Sequence, residues 1–245
     1  MPFSHGKNAI LWMNGVKLSA FLREISGGPV VDIHDKSVFE QNDKTYLAGT
    51  EGSTLSMDGL FDGVVSAIDD LLKNLLASPS GEIFTWLPAG DGFVSRFKGM
   101  LATQTAYDVA TAATEIATVH LESTSNVGHE SGQTLHPMGA ETATGNDTST
   151  DHGAATTLGG AGYLQVSAAS GSASPTLDVV IQHSVDNAVW VDLITFAQVA
   201  LASVPTALRA AVTTNPVNRW TRSKRTIAGT TPSFTYHVGF NRKFF

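Results

Sequence analysis

The chain has 245 residues, and 22 acidic against 15 basic side chains give a formal net charge of −7. Charged residues make up only 15% and Cys is absent, which excludes disulfides, cysteine-ligated metals and thiol catalysis. No apolar run approaches the roughly 18 residues that cross a bilayer, and the N-terminus lacks a signal-peptide core. We therefore expect no membrane insertion.

The excess negative charge lies in the first half of the sequence. Up to residue 125, fifteen acidic side chains meet eight basic ones, whereas seven meet seven in the remainder. Affinity for nucleic acid comes mainly from Lys and Arg that neutralise phosphates, so this balance argues against nucleic-acid binding. It is compatible with DNA passing nearby, because a surface that lets DNA slide without sticking should itself be negative.

The first elements are short strands. Residues 9–18 predict a strand with an Asn14-Gly15 corner, a common hairpin signal, and the Ser-Gly-Gly-Pro run at 26–29 predicts its end. A short strand is predicted over 30–35, followed by a polar loop over 36–44.

A strand, a turn and a helix are predicted in succession over residues 43–77. The β pattern around residues 45–57 is followed by Asp58-Gly59 and Asp62-Gly63, which predict turns. Apolar residues then recur with helical spacing over about 63–77, with Asp62 as a possible N-cap. A single stripe predicts one buried face that packs on a sheet; its members are Val64, Val65, Ile68, Leu71, Leu72, Leu75 and Leu76.

The second half predicts a β-sandwich. Residues 126–162 are rich in Gly, Thr, Ser, Ala and His, which predicts an irregular linker into a second domain. Strand patterns follow at intervals typical of a sandwich, with Asp186-Asn187 as a hairpin corner. The predicted fold is mainly β, with one domain over 1–126 that carries one helix and a second over 127–245.

No catalytic constellation emerges, so we expect neither an enzyme nor a cofactor. His129, His136 and His152 lie near acidic residues, but they miss the HExxH spacing that places two ligands on one helical face, and solvated loop histidines are the interpretation we favour. Acidic residues near the turns are explained by turn chemistry. One basic-aromatic cluster predicts a charged strand face; it comprises Arg219, Trp220, Arg222, Lys224 and Arg225.

The stretch DKTYLAGTEGSTLSMDGLFDG, residues 43–63, resembles the major tail (tail tube) proteins of long-tailed bacteriophages. The family segment has the form K-[ST]-Y-[IL]-x-G…[ST]-L-S-[LM]-x-G-[LF]-F-D and precedes a helix. The opening NAILWMNGVKLSAFL and the following VVDIHDKSVF also resemble the family's first strands. The positions that fit the segment are Lys44, Tyr46, Leu47, Gly49, Leu55, Ser56, Gly59, Phe61 and Asp62.

The resemblance implies a tail-tube-like β-sandwich or barrel with one flanking helix. It implies a virion structural protein, assembled in the host cytoplasm, whose subunits form rings, commonly hexameric, that stack into a tube with a negative lumen for DNA ejection. Expected partners are further copies of the chain and other tail proteins such as the tape measure and terminator. The loop between early strands would join rings, through contacts that include Asp35, Lys36, Phe39, Glu40, Asp43, Lys44 and Tyr46.

A second class of function stays open from the sequence. Segments of the second half, such as IQHSVDNAVWVDLITF, are similar to β-sandwich segments of virion proteins, and the corner S-x-D-x-x-x-W also occurs in jelly-roll carbohydrate-binding modules. The alternative is therefore a virion or cell-surface binding module for a host glycan or protein.

Overall fold

Antiparallel strands dominate the computed structural model, which describes residues 6–38, 43–62, 68–73, 75–76, 78–213 and 215–243. Helical structure in these residues is confined to α1, Ile68–Leu72, and to two 3-10 turns, Gly6–Asn8 and Leu201–Ser203. The prediction of a mainly β protein is confirmed. None of the described helices is long and apolar enough to cross a membrane.

Fifteen strands are formed by the described residues. In chain order they are β1 Ile10–Met13, β2 Val16–Lys17, β3 Leu22–Asp35, β4 Tyr46–Leu60, β5 Glu82–Leu87, β6 Arg96–Ala110, β7 Thr118–Ser125, β8 Glu130–Glu141, β9 Gly145–Asn146, β10 Thr150–Asp151, β11 Gly160–Ser184, β12 Val191–Thr195, β13 Val199–Ala200, β14 Thr206–Val212 and β15 Trp220–Arg242.

The chain divides into two compact units that interleave in sequence. We call the described residues within 1–20, 83–99 and 130–245 the sandwich unit, and those within 21–82 and 100–129 the sheet unit. The sequence analysis assigns residues 1–20 and 83–99 to the first half, whereas contacts in the structure group them with the C-terminal part.

A long ribbon of β11 and β15 organises the sandwich unit. The two strands pair from Gly160 with Arg242 to Ser184 with Trp220, and the pairing shifts register within residues 170–176. Around this shift several residues adopt positive φ, including the non-glycine Ala173. These irregularities divide the ribbon into two halves.

The two halves of the ribbon face each other across a core. A Cβ placed on Gly162 would lie 2.7 Å from Ile181 Cδ1 and 2.8 Å from Phe196 Cζ, so a larger residue there would require these side chains to shift. The interior is filled by large apolar side chains from both halves and their neighbours, among them Leu164, Val166, Leu177, Val179, Ile181, Phe196, Phe234, Tyr236, Val238 and Phe240. Burial of such apolar surface is the main stabilising contribution of the unit.

Two predicted hairpin corners are confirmed in this unit. Asn14 and Gly15 both have positive φ, 48° and 82°, and form the two-residue loop that joins β1 to β2, as a type I′ turn requires. Asp186 lies in the loop between β11 and β12, where its carboxylate accepts hydrogen bonds from the backbone N–H groups of Ala188 and Val189 at 2.9 Å.

The prediction of an irregular linker over 126–162 is wrong. Residues 130–141 form the regular strand β8, which pairs with β15 and with the start of β6. Thr134 and His136 are buried in it although neither is a large apolar residue. Ladder hydrogen bonds and close packing on both sides stabilise this strand, which its composition did not indicate.

The sheet unit is a four-stranded antiparallel sheet in the order β3-β4-β7-β6. One face is apolar and holds Leu55, Met57, Val119 and Leu121, each at most 3% exposed. Helix α1 lies beside β6, because Gln104 Nε2 donates to the Leu72 carbonyl at 3.2 Å.

Two predicted chain breaks lie inside long strands. The Ser-Gly-Gly-Pro run at 26–29 continues β3, where Gly27 approaches β4 so closely that an added Cβ would lie 2.5 Å from the Thr54 carbonyl oxygen. Pro29 is tolerated because β3 pairs on one side only among the described residues, as proline requires in a sheet. Asp58-Gly59 likewise lies within β4 rather than in a turn.

Candidate functional site: an acidic sheet face and an exposed arm

The β3–β4 hairpin extends beyond the four-stranded part of the sheet. β7 pairs with β4 only over residues 54–60, so residues 29–35 and 46–52 pair only with each other among the described residues. We call this two-stranded extension the arm. Its apolar side chains are largely exposed: Val30 58%, Val31 44%, Ile33 65%, Tyr46 55% and Leu47 57%.

The tip of the arm gathers most of the described residues that the sequence analysis assigned to subunit contact. Asp35 pairs across the ladder with Tyr46, and its carboxylate lies 4.0 Å from Lys44 Nζ. The Lys36 N–H donates to the Thr45 carbonyl at 2.9 Å. Hydrogen bonds from Ser37 lower the pKa of Asp35. Asp43 is exposed nearby in sequence, whereas Phe39 and Glu40 lie outside the described residues.

The structure describes the side chains of the last four residues of the predicted helix stripe. The helix predicted over about 63–77 ends at Leu72 in the described residues, so Leu71 and Leu72 lie in α1, whereas Leu75 and Leu76 follow it. Leu72 is 2% exposed, and Leu71 and Leu75 are half-buried, whereas Leu76 is 49% exposed. Val64 and Val65 lie outside the described residues, and the side chain of Ile68 is not described. The buried face therefore centres on Leu72.

The second face of the four-stranded sheet is open and acidic. Strand pairing aligns four side chains in one row across it, in the order Glu24, Asp58, His120 and Asp108. Glu122 lies two residues along β7, on the same face. The remaining positions are mostly Thr, Ser and Ala, and residues 54–60, 103–110 and 118–124 contain no Lys or Arg.

His120 is held between carboxylates on this face. Its Nδ1 lies 2.8 Å from Asp58 Oδ1 and its Nε2 lies 3.5 Å from Glu122 Oε1. The hydrogen bond to Asp58, together with Glu122, raises the pKa of His120 against a smaller opposing effect of burial. At neutral pH the acidic groups still outnumber any positive charge on His120, so the face stays negative.

Sequence reasoning missed this face. Its residues are spread over four strands and are up to 98 positions apart in sequence, from Glu24 to Glu122, and only the register of the ladder brings them onto one face. The alternation of Val119, Leu121 and Ser123 with His120 and Glu122 was the available signal, because it marks one buried and one exposed face of β7.

The histidines proposed as loop residues have other surroundings. His136 is 6% exposed on β8, with Nδ1 3.0 Å from Asp147 Oδ1 and its ring stacked on Tyr236, so the prediction of a solvated loop residue is wrong for it. His152 Nε2 lies 2.8 Å from Thr221 Oγ1. Across the described residues, no group of three or more His, Cys, Asp or Glu is arranged to hold a metal ion.

The basic cluster of the second half does not form a single charged face. Arg225 contacts Glu141 and Asp147 at 2.7 and 2.9 Å with its side chain 13% exposed. Arg222 stacks over the Trp190 ring at 4.1 Å. Ion pairing and stacking therefore distribute these cations among several local partners.

No protein-family model matches the chain, and no curated protein matches it in sequence. Several solved structures show a distant likeness. A chain of the virion of a native gene transfer agent particle is 16% identical, with 52% of this chain and 97% of that chain covered and a TM-score of 0.40. The tube-terminating cap of the anti-feeding prophage is 10% identical over 54% of this chain and 93% of that chain, with a TM-score of 0.42.

The Dit protein of phage SPP1, described as a hub adsorption apparatus, is 12% identical, with 96% of this chain and 99% of that chain covered and a TM-score of 0.39. TM-scores this low do not establish a shared fold, so none of these likenesses supports a conclusion about function.

Proposed function

We propose that this protein is a structural subunit of a bacteriophage tail tube. Its subunits form rings that stack into a conduit, and DNA passes through the conduit at ejection without specific binding. The observation that carries the proposal is the sheet unit's division into two faces, one apolar and flanked by α1, the other open, acidic and rich in Ser and Thr. The resemblance of residues 43–63 to tail tube proteins supports the same function.

The open face suits a DNA conduit on electrostatic grounds. Carboxylates repel the phosphate backbone, and short hydroxyl side chains present few apolar surfaces to which DNA bases could adhere. Residues 54–60, 103–110 and 118–124 contain no Lys or Arg, so β4, β6 and β7 lack the cations that would release counterions and bind DNA. On β3, Arg23 is adjacent in sequence to Glu24.

Assembly is explained by the edge of β3, which pairs on one side only among the described residues, and by the arm. Exposed strand edges pair readily with other chains unless they are blocked, and an isolated two-stranded hairpin is marginally stable in water. The apolar residues of the arm, of which Ile33 is the most exposed and Val30 and Leu47 follow, therefore gain stability by packing on another subunit. The partners of this surface are further copies of the chain and the tail proteins that begin and end a tube.

Negative-stain electron microscopy and mass photometry of the purified chain test the proposal. We expect rings or tubes with a central channel for the wild type and loss of assembly for Ile33→Asp, because a charge at the subunit contact is costly to desolvate. Ile116→Asp is a matched control, since both isoleucines are 65% exposed and lie in the same unit. A protein that stays monomeric at high concentration would refute the proposal.

A binding module is the second candidate function, favoured by one feature of the sandwich unit. The β11–β12 hairpin exposes three valines, Val185 at 72%, Val189 at 69% and Val191 at 54%, and contiguous exposed apolar surface often marks an interaction site. A glycan array probed with the full chain separates the candidates: specific glycan binding by a chain that forms no rings supports the binding module.

A further inference from the structure

One face of the sheet formed by β12, β11 and β15 carries two tryptophans. On β15, Thr221 and Ser223 are fully buried, and successive side chains of a strand alternate between its two faces. Trp220 and Arg222 therefore lie on the opposite, outer face of this sheet. Trp190 lies on the same face, because Arg222 Cζ is 4.1 Å from the centre of its ring. Both tryptophans are half-buried, so part of each indole ring reaches solvent.

A row of hydrogen bonds crosses the three strands beside these rings. The strand register aligns Gln182 of β11 with Asp192 of β12 on one side and with Arg222 of β15 on the other. Arg222 Nε donates to Gln182 Oε1 at 3.0 Å, and Gln182 Nε2 donates to Asp192 Oδ1 at 2.7 Å. Because Gln182 is only 6% exposed, a buried amide holds both neighbours in place. We call these three residues, with Trp190 and Trp220, the outer row.

Stacking fixes the aromatic members of the outer row. The Arg222 guanidinium stacks on Trp190, and Arg219 Cζ lies 5.2 Å from the centre of the Trp220 ring. Arg219 is fixed in turn by two hydrogen bonds to Asp151, at 2.7 and 2.6 Å. A cation over an aromatic ring is attracted by the negative face of that ring. Side chains that are already ordered lose little freedom when a ligand binds, which favours affinity.

Opposite charges balance on this face. Arg222 and Lys224 of β15 contribute two cations, whereas Asp192 of β12 and Asp178 of β11 contribute two anions. The ion pair beside Trp220 adds no net charge. A charged ligand therefore gains little net attraction. A ligand with hydroxyl groups can accept hydrogen bonds from Arg222 and donate them to Asp192.

We propose that the outer row binds a neutral saccharide. Pyranose rings present C–H groups that pack on the negative face of an indole ring, and their hydroxyl groups both donate and accept hydrogen bonds. Adjacent strands are about 4.8 Å apart, so Asp192 and Arg222, which lie two strands apart, contact different parts of one oligosaccharide.

This inference is independent of the tail-tube proposal, because it uses residues of the sandwich unit alone. It deepens the second candidate function, since it gives a binding module a site and a class of ligand. The ring assay of the tail-tube proposal uses Ile33→Asp in the sheet unit, so a negative result in one assay leaves the other proposal standing.

Isothermal titration calorimetry and tryptophan fluorescence of the full chain test the site. The neutral probes are maltotriose, cellotriose and lactose, and trigalacturonate is the acidic comparison. We expect saturable binding of at least one neutral probe at millimolar concentration, with a change in tryptophan emission. The absence of saturable binding by all three neutral probes would overturn the proposal. Tighter binding of trigalacturonate than of every neutral probe would also overturn it, because the site would then recognise an anion.

Trp190→Ala should weaken the binding of the neutral probe about tenfold, because an aromatic anchor is lost together with the stacking that orients Arg222. Val189→Ala is the matched control, since Val189 is the preceding residue, is 69% exposed and lies outside the outer row. Equal losses in the two variants would place the saccharide on the exposed valines. The second candidate function would then stand without the outer row.

Asp192→Asn should weaken the same binding about fivefold through the loss of a charged hydrogen-bond acceptor. Asp192 is exposed, so the thermal unfolding midpoint should stay unchanged. Asp178→Asn is the control, because it removes the same charge from the same face but lies four residues from Gln182 along β11. Equal affinities of these two variants for the probe would contradict the role of the outer row.

Discussion

The two units of the chain differ in charge and in how completely they cover their own surfaces. Residues 21–82 and 100–129, which hold the sheet unit, carry fourteen acidic against four basic side chains, a net charge of −10, whereas residues 1–20, 83–99 and 130–245 carry eight against eleven, a net charge of +3. The charge therefore separates by unit more sharply than by halves of the sequence, because residues 1–20 and 83–99 bring four basic side chains and one acidic one into the sandwich unit.

The two units also differ in how much of their own surface they bury. The sandwich unit folds its ribbon so that both halves bury their inner faces in one core. The sheet unit leaves one face open, one strand edge unpaired and the arm without a third strand among the described residues. The sandwich unit is therefore stabilised by its own core, whereas the sheet unit leaves surfaces to which other molecules can bind.

Arg209→Ala should have the largest effect on stability. Arg209 contacts buried Glu130 through two hydrogen bonds of 2.8 Å, and Glu130 also accepts one from the Tyr163 hydroxyl. Removal of the arginine leaves a buried carboxylate uncompensated, which should lower the free energy of unfolding by about 3–5 kcal/mol. Chemical denaturation measures this. Arg219→Ala, in an ion pair with side chains 47% and 33% exposed, should cost no more than about 1 kcal/mol.

Leu72→Ala should have the next largest effect and should act on the sheet unit. Leu72 is 2% exposed, so its truncation should lower the free energy of unfolding by about 2–3 kcal/mol through lost burial and a cavity. Hydrogen exchange of the backbone amides of β4 and β7 measures this loss of stability. Leu76→Ala is the control, since Leu76 is 49% exposed and its loss should cost about 0.5 kcal/mol or less. Equal effects would contradict a buried face centred on Leu72.

Charge reversal on the open face should change its behaviour toward DNA. Asp58→Lys with Glu122→Lys should tighten the binding of duplex DNA about tenfold at low salt, with an affinity that falls steeply as salt is added. Fluorescence anisotropy measures both. Asp43→Lys with Glu115→Lys makes the same change in net charge away from the face. Comparable DNA binding by this control would show that overall charge, not the face, matters.

The smallest expected effect is the pH dependence contributed by His120. Its folded-state pKa is raised above the ordinary value of 6.5, so its stabilising contribution is complete below that value and is lost as the pH rises through the folded-state pKa. Because the side chain is 35% exposed, the contribution should stay well below about 1 kcal/mol. Thermal unfolding against pH for the wild type and Asp58→Asn measures it; an unchanged profile in the variant would contradict the assignment.

Local signals in the sequence predicted several elements correctly. Asn14-Gly15 and Asp186-Asn187 identify hairpin corners because their residue types favour the backbone angles that those turns require. Helical spacing predicts a helix over about 63–77, of which the described residues form α1 at Ile68–Leu72. A polar loop is predicted over 36–44, and in the structure β3 ends at Asp35 and β4 begins at Tyr46. Signals of this kind depend on neighbouring residues only.

Other features depended on partners distant in sequence. Residues 26–29, and residues 130–141 within the linker predicted over 126–162, were expected to be irregular, but pairing with β4 and with β15 makes them strands. Propensity is a weak guide where a ladder on either side supplies the hydrogen bonds. A polar cavity of about 250 Å³ in the sandwich unit, lined by residues that include Arg96, Gln133 and Arg242, could not be predicted either, since its lining residues are up to 146 positions apart in sequence.

The sequence by itself determined that the protein is mainly β, lacks cysteine chemistry and carries its excess negative charge early in the chain. Only the tertiary structure decided where that charge is displayed, because the register of β3, β4, β7 and β6 places Glu24, Asp58 and Asp108 in one row. Composition sets how much charge a chain carries, whereas strand register sets which side chains become neighbours.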